Sequence, residues 1–101
     1  MDDLYILLQE IRKRPGIYLG KPSLERLWAF INGYKSHKSY DPDTDNCLDG
    51  FNDYVYEYYH LHTDHDWSRI IQFFNESEES AFYEFYRLFD DFMKKNPDHR
   101  L

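Results

Sequence analysis

The chain has 101 residues, 12 Lys and Arg against 19 Asp and Glu, a formal net charge of −7 and one cysteine, Cys47. This is the length of a single domain, burying about 60–65% of its unfolded surface, and its acidity argues against nucleic acid or an anionic membrane as partner and toward a basic protein. With no basic n-region at the N-terminus, no disulfide framework and no run near the roughly 18 apolar residues of a membrane span, a cytoplasmic protein is expected.

The apolar residues repeat with helical period almost throughout. Leu4, Leu7, Leu8 and Ile11 make the first stripe, with Asp2 and Asp3 at the favourable end of the helix dipole and Arg12, Lys13 and Arg14 at the other. Pro15 pushes Arg14 out of the α region and stops this helix. Leu24, Leu27, Trp28, Ile31 and Tyr34 make the second stripe behind a Ser23 cap. Phe51, Tyr54, Val55, Tyr58 and His62 make the third, with His62 expected to be packed. Trp67, Ile70, Ile71 and Phe74 make the fourth, capped by Asp66 or Asp64. Phe82, Phe85, Leu88, Phe89 and Phe92 make the fifth, opened by Ser77 and closed by Lys94-Lys95-Asn96-Pro97. One valine and six isoleucines leave no run that alternates with period two. The expectation is an all-α bundle of four to five helices, one domain over residues 1–101.

The stretch Lys13-Arg14-Pro15-Gly16-Ile17-Tyr18-Leu19-Gly20 reads as a type II turn with positive φ at Gly16. Ile17-Tyr18-Leu19 would follow as a short extended linker that drops Ile17 and Leu19 into the core. The string also resembles one in the ATPase region of type II topoisomerases such as gyrase B. That resemblance implies a following helix with a catalytic Glu ahead of a metal-binding Asn, and Gly-rich lid motifs. Here Asn32 has Trp28 four residues before it, and the only glycines are Gly16, Gly20, Gly33 and Gly50. No nucleotide cofactor is expected.

Two motifs raise a metal. Counted as an EF-hand loop, Asp41, Asp43 and Asp45 fall at positions 1, 3 and 5, but Asn52 stands where the bidentate Glu belongs. His60, His62 and His65 lie beside Asp64 and Asp66, residue types that bind zinc. On a helix, however, His60 and His62 point about 200° apart. A solvated acidic loop accounts for the first motif, and a calcium- or zinc-binding regulatory module is the alternative reading of the chain. No nucleophile with a base beside it is apparent, so no catalytic residue is assigned.

Charge is strongly segregated. Residues 39–68 hold eight acids (Asp41, Asp43, Asp45, Asp49, Asp53, Glu57, Asp64 and Asp66) and no Lys or Arg. Such a block repels itself and gives the fold nothing. With the third stripe inward, Asp49, Asp53, Tyr56, Glu57 and His60 share the outer face of that helix. A tyrosine among carboxylates suits a protein interface. The expected partner-binding set is Asp41, Asp43, Asp45, Asp49, Asp53, Tyr56, Glu57 and His60, with no metal.

Taken in order, R-P-G-x-Y-L-G, then Ser23-Leu24 through Leu27, Phe30-Ile31 and Gly33-Tyr34, then Phe51-Asn52-Asp53-Tyr54-Val55, Trp67-x-x-Ile70-Ile71 and Ala81-Phe82-x-x-Phe85 form a pattern over about residues 11–93. It resembles a family of small single-domain bacterial proteins similar to the cytosolic immunity proteins encoded beside polymorphic or contact-dependent toxins. The resemblance implies an inhibitor that occludes a cognate toxin, for example a nuclease or another enzyme with a basic site. It carries no catalytic residues and leaves the oligomeric state open.

Overall fold

The computed structural model describes residues 3–37 and 46–95. Among these residues six helices follow one another: α1 (Asp3–Lys13), α2 (Pro15–Leu19), α3 (Leu24–His37), α4 (Phe51–Tyr59), α5 (Trp67–Phe73) and α6 (Glu78–Lys95). There is no strand among the described residues. The all-α reading holds, and the helix count exceeds the expected four to five.

The longest helix, α6, is the spine. Its Phe82, Phe85, Leu88, Phe89 and Phe92 are all buried, as the spacing predicts, and α3, α4 and α5 pack against it. The first helix is tied to the same spine by four kinds of contact. The buried Tyr86 hydroxyl donates to the Leu8 carbonyl at 2.6 Å. Arg12 grips Asp90 with two parallel bonds of 2.8 and 2.6 Å, and its guanidinium lies 5.0 Å from the centre of the Tyr86 ring. Tyr5 leans on Phe89, ring centres 6.1 Å apart.

At the centre sits Phe51, the first residue of α4, fully buried. Its ring meets Trp67, Phe85, Phe89 and Phe92 at centroid distances of 5.4, 5.6, 6.1 and 5.3 Å, all near edge-to-face. Such ring pairs contribute about 0.5–1.5 kcal/mol each beyond the area they bury. Trp28 brings α3 into the cluster through Trp67, 5.2 Å away.

The helix starts follow their signals. The Ser23 hydroxyl accepts from the Arg26 amide at 3.2 Å, Asp66 from the Arg69 amide at 3.1 Å, and Ser77 from the Ser80 amide at 3.0 Å. Each relieves one of the unpaired N–H groups of a first turn.

The segment between α1 and α3 departs from expectation. Pro15 opens a helix, the role its fixed φ suits at a first position, and the Arg14 carbonyl accepts from the amides of Ile17 and Tyr18 at 3.1 and 3.4 Å. Residues 17–19 are therefore helical, not extended. In an extended strand Ile17 and Leu19 would share a face; at 100° per residue they point nearly opposite ways. Leu19 is buried and Ile17 is 73% exposed. The positive φ falls at Gly20 (84°), not at Gly16. Gly20 ends α2, and Arg26 reaches back to the Leu19 carbonyl at 2.8 Å.

These two glycines respond oppositely to alanine. A Cβ on Gly16 meets nothing within 4 Å, whereas one on Gly20 falls 2.8 Å from Arg26 Nη1 at a φ that alanine resists. Gly16→Ala raises the free energy of unfolding by about 0.4–1 kcal/mol, and Gly20→Ala lowers it by more than about 1 kcal/mol. Urea denaturation of the two variants checks the pair of signs; a turn with positive φ at Gly16 would give a loss there instead.

Candidate interaction surface

The surface is built outward from α4. Phe51 and Val55 are buried, so at helical spacing the far side of this helix carries Asp53 and Glu57, with Asn52 at its flank and His60 at its end, all exposed. Asp53 and Glu57 lie one turn apart. Every ion pair among the described residues is elsewhere: Arg12–Asp90, Lys13–Glu10, Lys21–Glu78, Arg87–Glu84 and Lys95–Asp91. Asp49, Asp53, Glu57, Asp64 and Asp66 thus pair with no cation among the described residues.

The expected set divides on inspection. Asp53, Glu57 and His60 share the exposed face. Asp49 is half-buried, and its carboxylate accepts from the Asn46 amide at 2.8 Å. The Asn46 side chain in turn accepts from the Leu48 amide at 2.8 Å. This closed turn, with Asn46, Cys47 and Leu48 buried, sets the entry of α4, so this end of the expected acidic loop is not solvated. Tyr56 is half-buried and donates its hydroxyl to the His65 carbonyl at 2.8 Å, fastening the loop after α4. Asp41, Asp43 and Asp45 lie outside the described residues, and with them the first five of the twelve positions of the EF-hand count.

Asn52 sits on the same side of α4 with a different task. Its side-chain oxygen accepts from the Trp67 amide at 2.8 Å and holds the start of α5. His62 is exposed rather than packed, because α4 ends at Tyr59, before the stripe reaches it. No group of three or more His, Cys, Asp or Glu is placed to hold a metal ion among the described residues. Asp66 is committed to its cap, and the His65 backbone is tied to Thr63 and Tyr56.

His60 occupies an unusual backbone position. The Leu61 amide donates to the Tyr56 carbonyl at 2.9 Å and the His60 amide to that of Glu57 at 3.2 Å. This is the closing pattern of a helix whose next residue is left-handed, normally glycine. Here it is histidine, φ 57° and ψ 48°, with positive φ at no other non-glycine among the described residues.

Beside this face runs an aromatic edge that the helical spacing did not reveal. Tyr54, Tyr58, Tyr59, Phe74 and Phe73 form a chain of rings from the core to solvent. Tyr59 and Phe74 stack in parallel, centres 4.4 Å apart and planes 2° apart. Tyr58 stands edge-on to Tyr59 at 4.9 Å, and Phe73 edge-on to Phe74 at 5.1 Å. Arg87 donates to the Tyr58 hydroxyl at 2.7 Å and pairs with Glu84. Phe73 is 81% exposed, Phe74 48% and Tyr58 44%. The adjacent Phe73-Phe74 was the available signal, since consecutive helical residues differ by 100° and both cannot face one core.

Burial pushes the Tyr59 hydroxyl up to about 12, with the nearby Glu84 charge adding to the shift. Burial also raises Tyr86, and raises Tyr54 together with the bond it donates to Asp91. That same bond, ahead of the nearby Lys95, holds the Asp91 carboxyl below its usual value.

No family model matches the chain, and no curated protein or solved structure matches it. No described helix is long and apolar enough to cross a membrane.

Two measurements test the local physics. His60→Gly relieves the left-handed strain and raises stability in urea by about 1 kcal/mol; an unchanged or lowered midpoint would contradict the assigned backbone. The tyrosine shifts set an alkaline limit. Because the folded state holds the Tyr59 proton more tightly, its contribution is complete below pH about 10 and lost as pH rises toward 12. Absorbance of tyrosinate at 295 nm then tracks the loss of helical circular dichroism, and Tyr59→Phe flattens the fall over that window.

Proposed function

We propose that the chain is a cytoplasmic immunity protein, which binds a cognate bacterial toxin and occludes its active site with the acidic face of α4. One observation carries this reading. Asp53 and Glu57 stand exposed one turn apart and take part in none of the ion pairs that knit the described residues together. Unpaired carboxylates facing water do not hold this fold together. They are suited to meeting cations supplied by another molecule, where complementary charge speeds association and selects the partner.

Further features support the reading. The resemblance over about residues 11–93 points to the same class. His60 keeps a strained left-handed backbone at the end of this face, where glycine would cost less. Strain of that kind concentrates at functional positions. A basic toxin site also fits the charge of the block from residue 39 to 68, eight acids without a Lys or Arg. An inhibitor of this kind needs area rather than chemistry: standard interfaces bury about 1,200–2,000 Å² in total.

The test is protection. The protein is co-expressed with the secreted polypeptide encoded beside its gene, and growth is measured. Wild type is expected to restore growth. Asp53→Lys with Glu57→Lys is expected to lose protection while keeping the helical circular-dichroism signal. Asp49 is left unchanged, since it closes the turn that positions α4. A wild-type protein that gives no protection, or a double variant that protects fully, would overturn the proposal.

A further inference from the structure

We propose that the aromatic edge of Tyr58, Phe73 and Phe74, with the groove beside it, is a docking site for an apolar side chain set among lysines and arginines on a partner protein. This deepens the toxin-binding reading and rests on it for the partner's identity, while the site itself is argued from its own geometry.

Exposure comes first. Phe73 presents most of its ring to water, and Phe74 and Tyr58 nearly half of theirs. Phe74 and Tyr58 are nonetheless held. Phe74 lies flat on Tyr59, Phe73 abuts Phe74, and Arg87 pins the Tyr58 hydroxyl. Rings fixed before contact lose little freedom on binding, so more of their buried area appears as affinity.

The groove supplies a receptor for a side chain. It measures ≈ 680 Å³, with Leu61, Ile70, Phe73 and Phe74 as its apolar lining and His65 and Arg69 among its polar groups. That volume falls within the roughly 300–1,000 Å³ of binding sites generally.

Charge selects the occupant. Asp53 and Glu57 share α4 with Tyr58. Asp64 stands between Thr63 and His65, which both line the groove, and Glu76 follows Phe74 by two residues. All four are exposed, and none forms an ion pair among the described residues. Arg69 is the cation lining the groove, and Arg87 is shared between Tyr58 and Glu84. An apolar centre whose flanking helix and loops expose unpaired acids fits an apolar plug set among basic residues. A second copy of this chain would bring the same acids against themselves, and an anionic lipid surface would be repelled. Within one interface, the acids set the rate of encounter and the desolvated rings set the residence time.

The probe is a peptide with a central Trp-Leu pair between three-residue runs of Lys and Arg, titrated into ¹⁵N-labelled protein and followed by NMR. Two control peptides replace the pair with Gly-Ser, or the basic runs with Glu. The expected result is saturable shifts at Leu61, Ile70, Phe73 and Phe74, with binding about tenfold weaker for each control and for Phe73→Ser. Phe73 is so exposed that this variant keeps its fold, which circular dichroism verifies. Shifts confined to Asp53 and Glu57 that are equal for the basic control peptide would overturn the docking site. So would the absence of binding, self-association abolished by Phe73→Ser, or adsorption to anionic vesicles that the same variant removes. The two proposals fail separately. If the toxin reading is wrong, the peptide shifts persist without any growth protection; if the docking site is wrong, protection survives Phe73→Ser.

Discussion

The insertion of one ring organises this molecule. Phe51 stands at the start of α4 and meets Trp67 of α5 and Phe85, Phe89 and Phe92 of α6. A helix of nine residues is marginal alone in water. What holds α4 is therefore tertiary contact, and its first residue is the deepest of them. The backbone before it is arranged accordingly: Asp49 and Asn46 close a buried turn, and Gly50 takes φ 84° immediately ahead of the ring. Removing Phe51 would undo the docking of α4 and the packing of α5 together, because Trp67 leans on the same ring.

That anchoring decides where the polar face points. With Phe51 and Val55 inward, Asp53 and Glu57 must face water, whatever their use. The fold places its charge pairs elsewhere. Arg12 and Asp90 join α1 to α6, and Lys21 and Glu78 join the α2–α3 link to the start of α6. Exposed pairs of this kind contribute little, about 0–1 kcal/mol. Aromatic packing carries the stability, which leaves the acids of α4 unconstrained by it. A surface that the core does not need is one that can be shaped by a partner.

Much of this was legible in the sequence because helices report their buried side by spacing. The α6 stripe came through whole, and the caps at Ser23, Asp66 and Ser77 did so too, since a short side chain before an apolar repeat has one inexpensive use. What failed did so for identifiable reasons. Pro15-Gly16 fits both a type II turn and the first positions of a helix, and the sequence around it holds no signal that separates them. His62 continued a stripe only if α4 ran on, and the left-handed His60 stopped it. Asp49 and Tyr56 matched the outer face by angle, yet each is engaged by a neighbouring backbone group. Angular position tells which way a residue points, not what lies beside it. The aromatic edge escaped because Tyr58 and Phe74 sat in stripes assumed to be inward to their ends. Stripes fray where helices end, and that is where these rings emerge.

The coincidence of these frayed ends has a consequence for binding. Tyr58 and Tyr59 close α4, and Phe73 and Phe74 close α5, so the two helices terminate against one another through the Tyr59–Phe74 stack. The loop from His60 to Asp66 joins them, and the Tyr56 hydroxyl draws it back onto α4 at His65. A partner that reached the acids at Asp53 and Glu57 would find the rings at the end of the same helix. Coulomb attraction acts across a Debye length of about 8 Å at physiological salt, whereas apolar burial needs contact. In the proposed interface, encounter and residence would thus be served by groups at the adjoining ends of α4 and α5, held in register by the same buried Phe51 from which α4 begins.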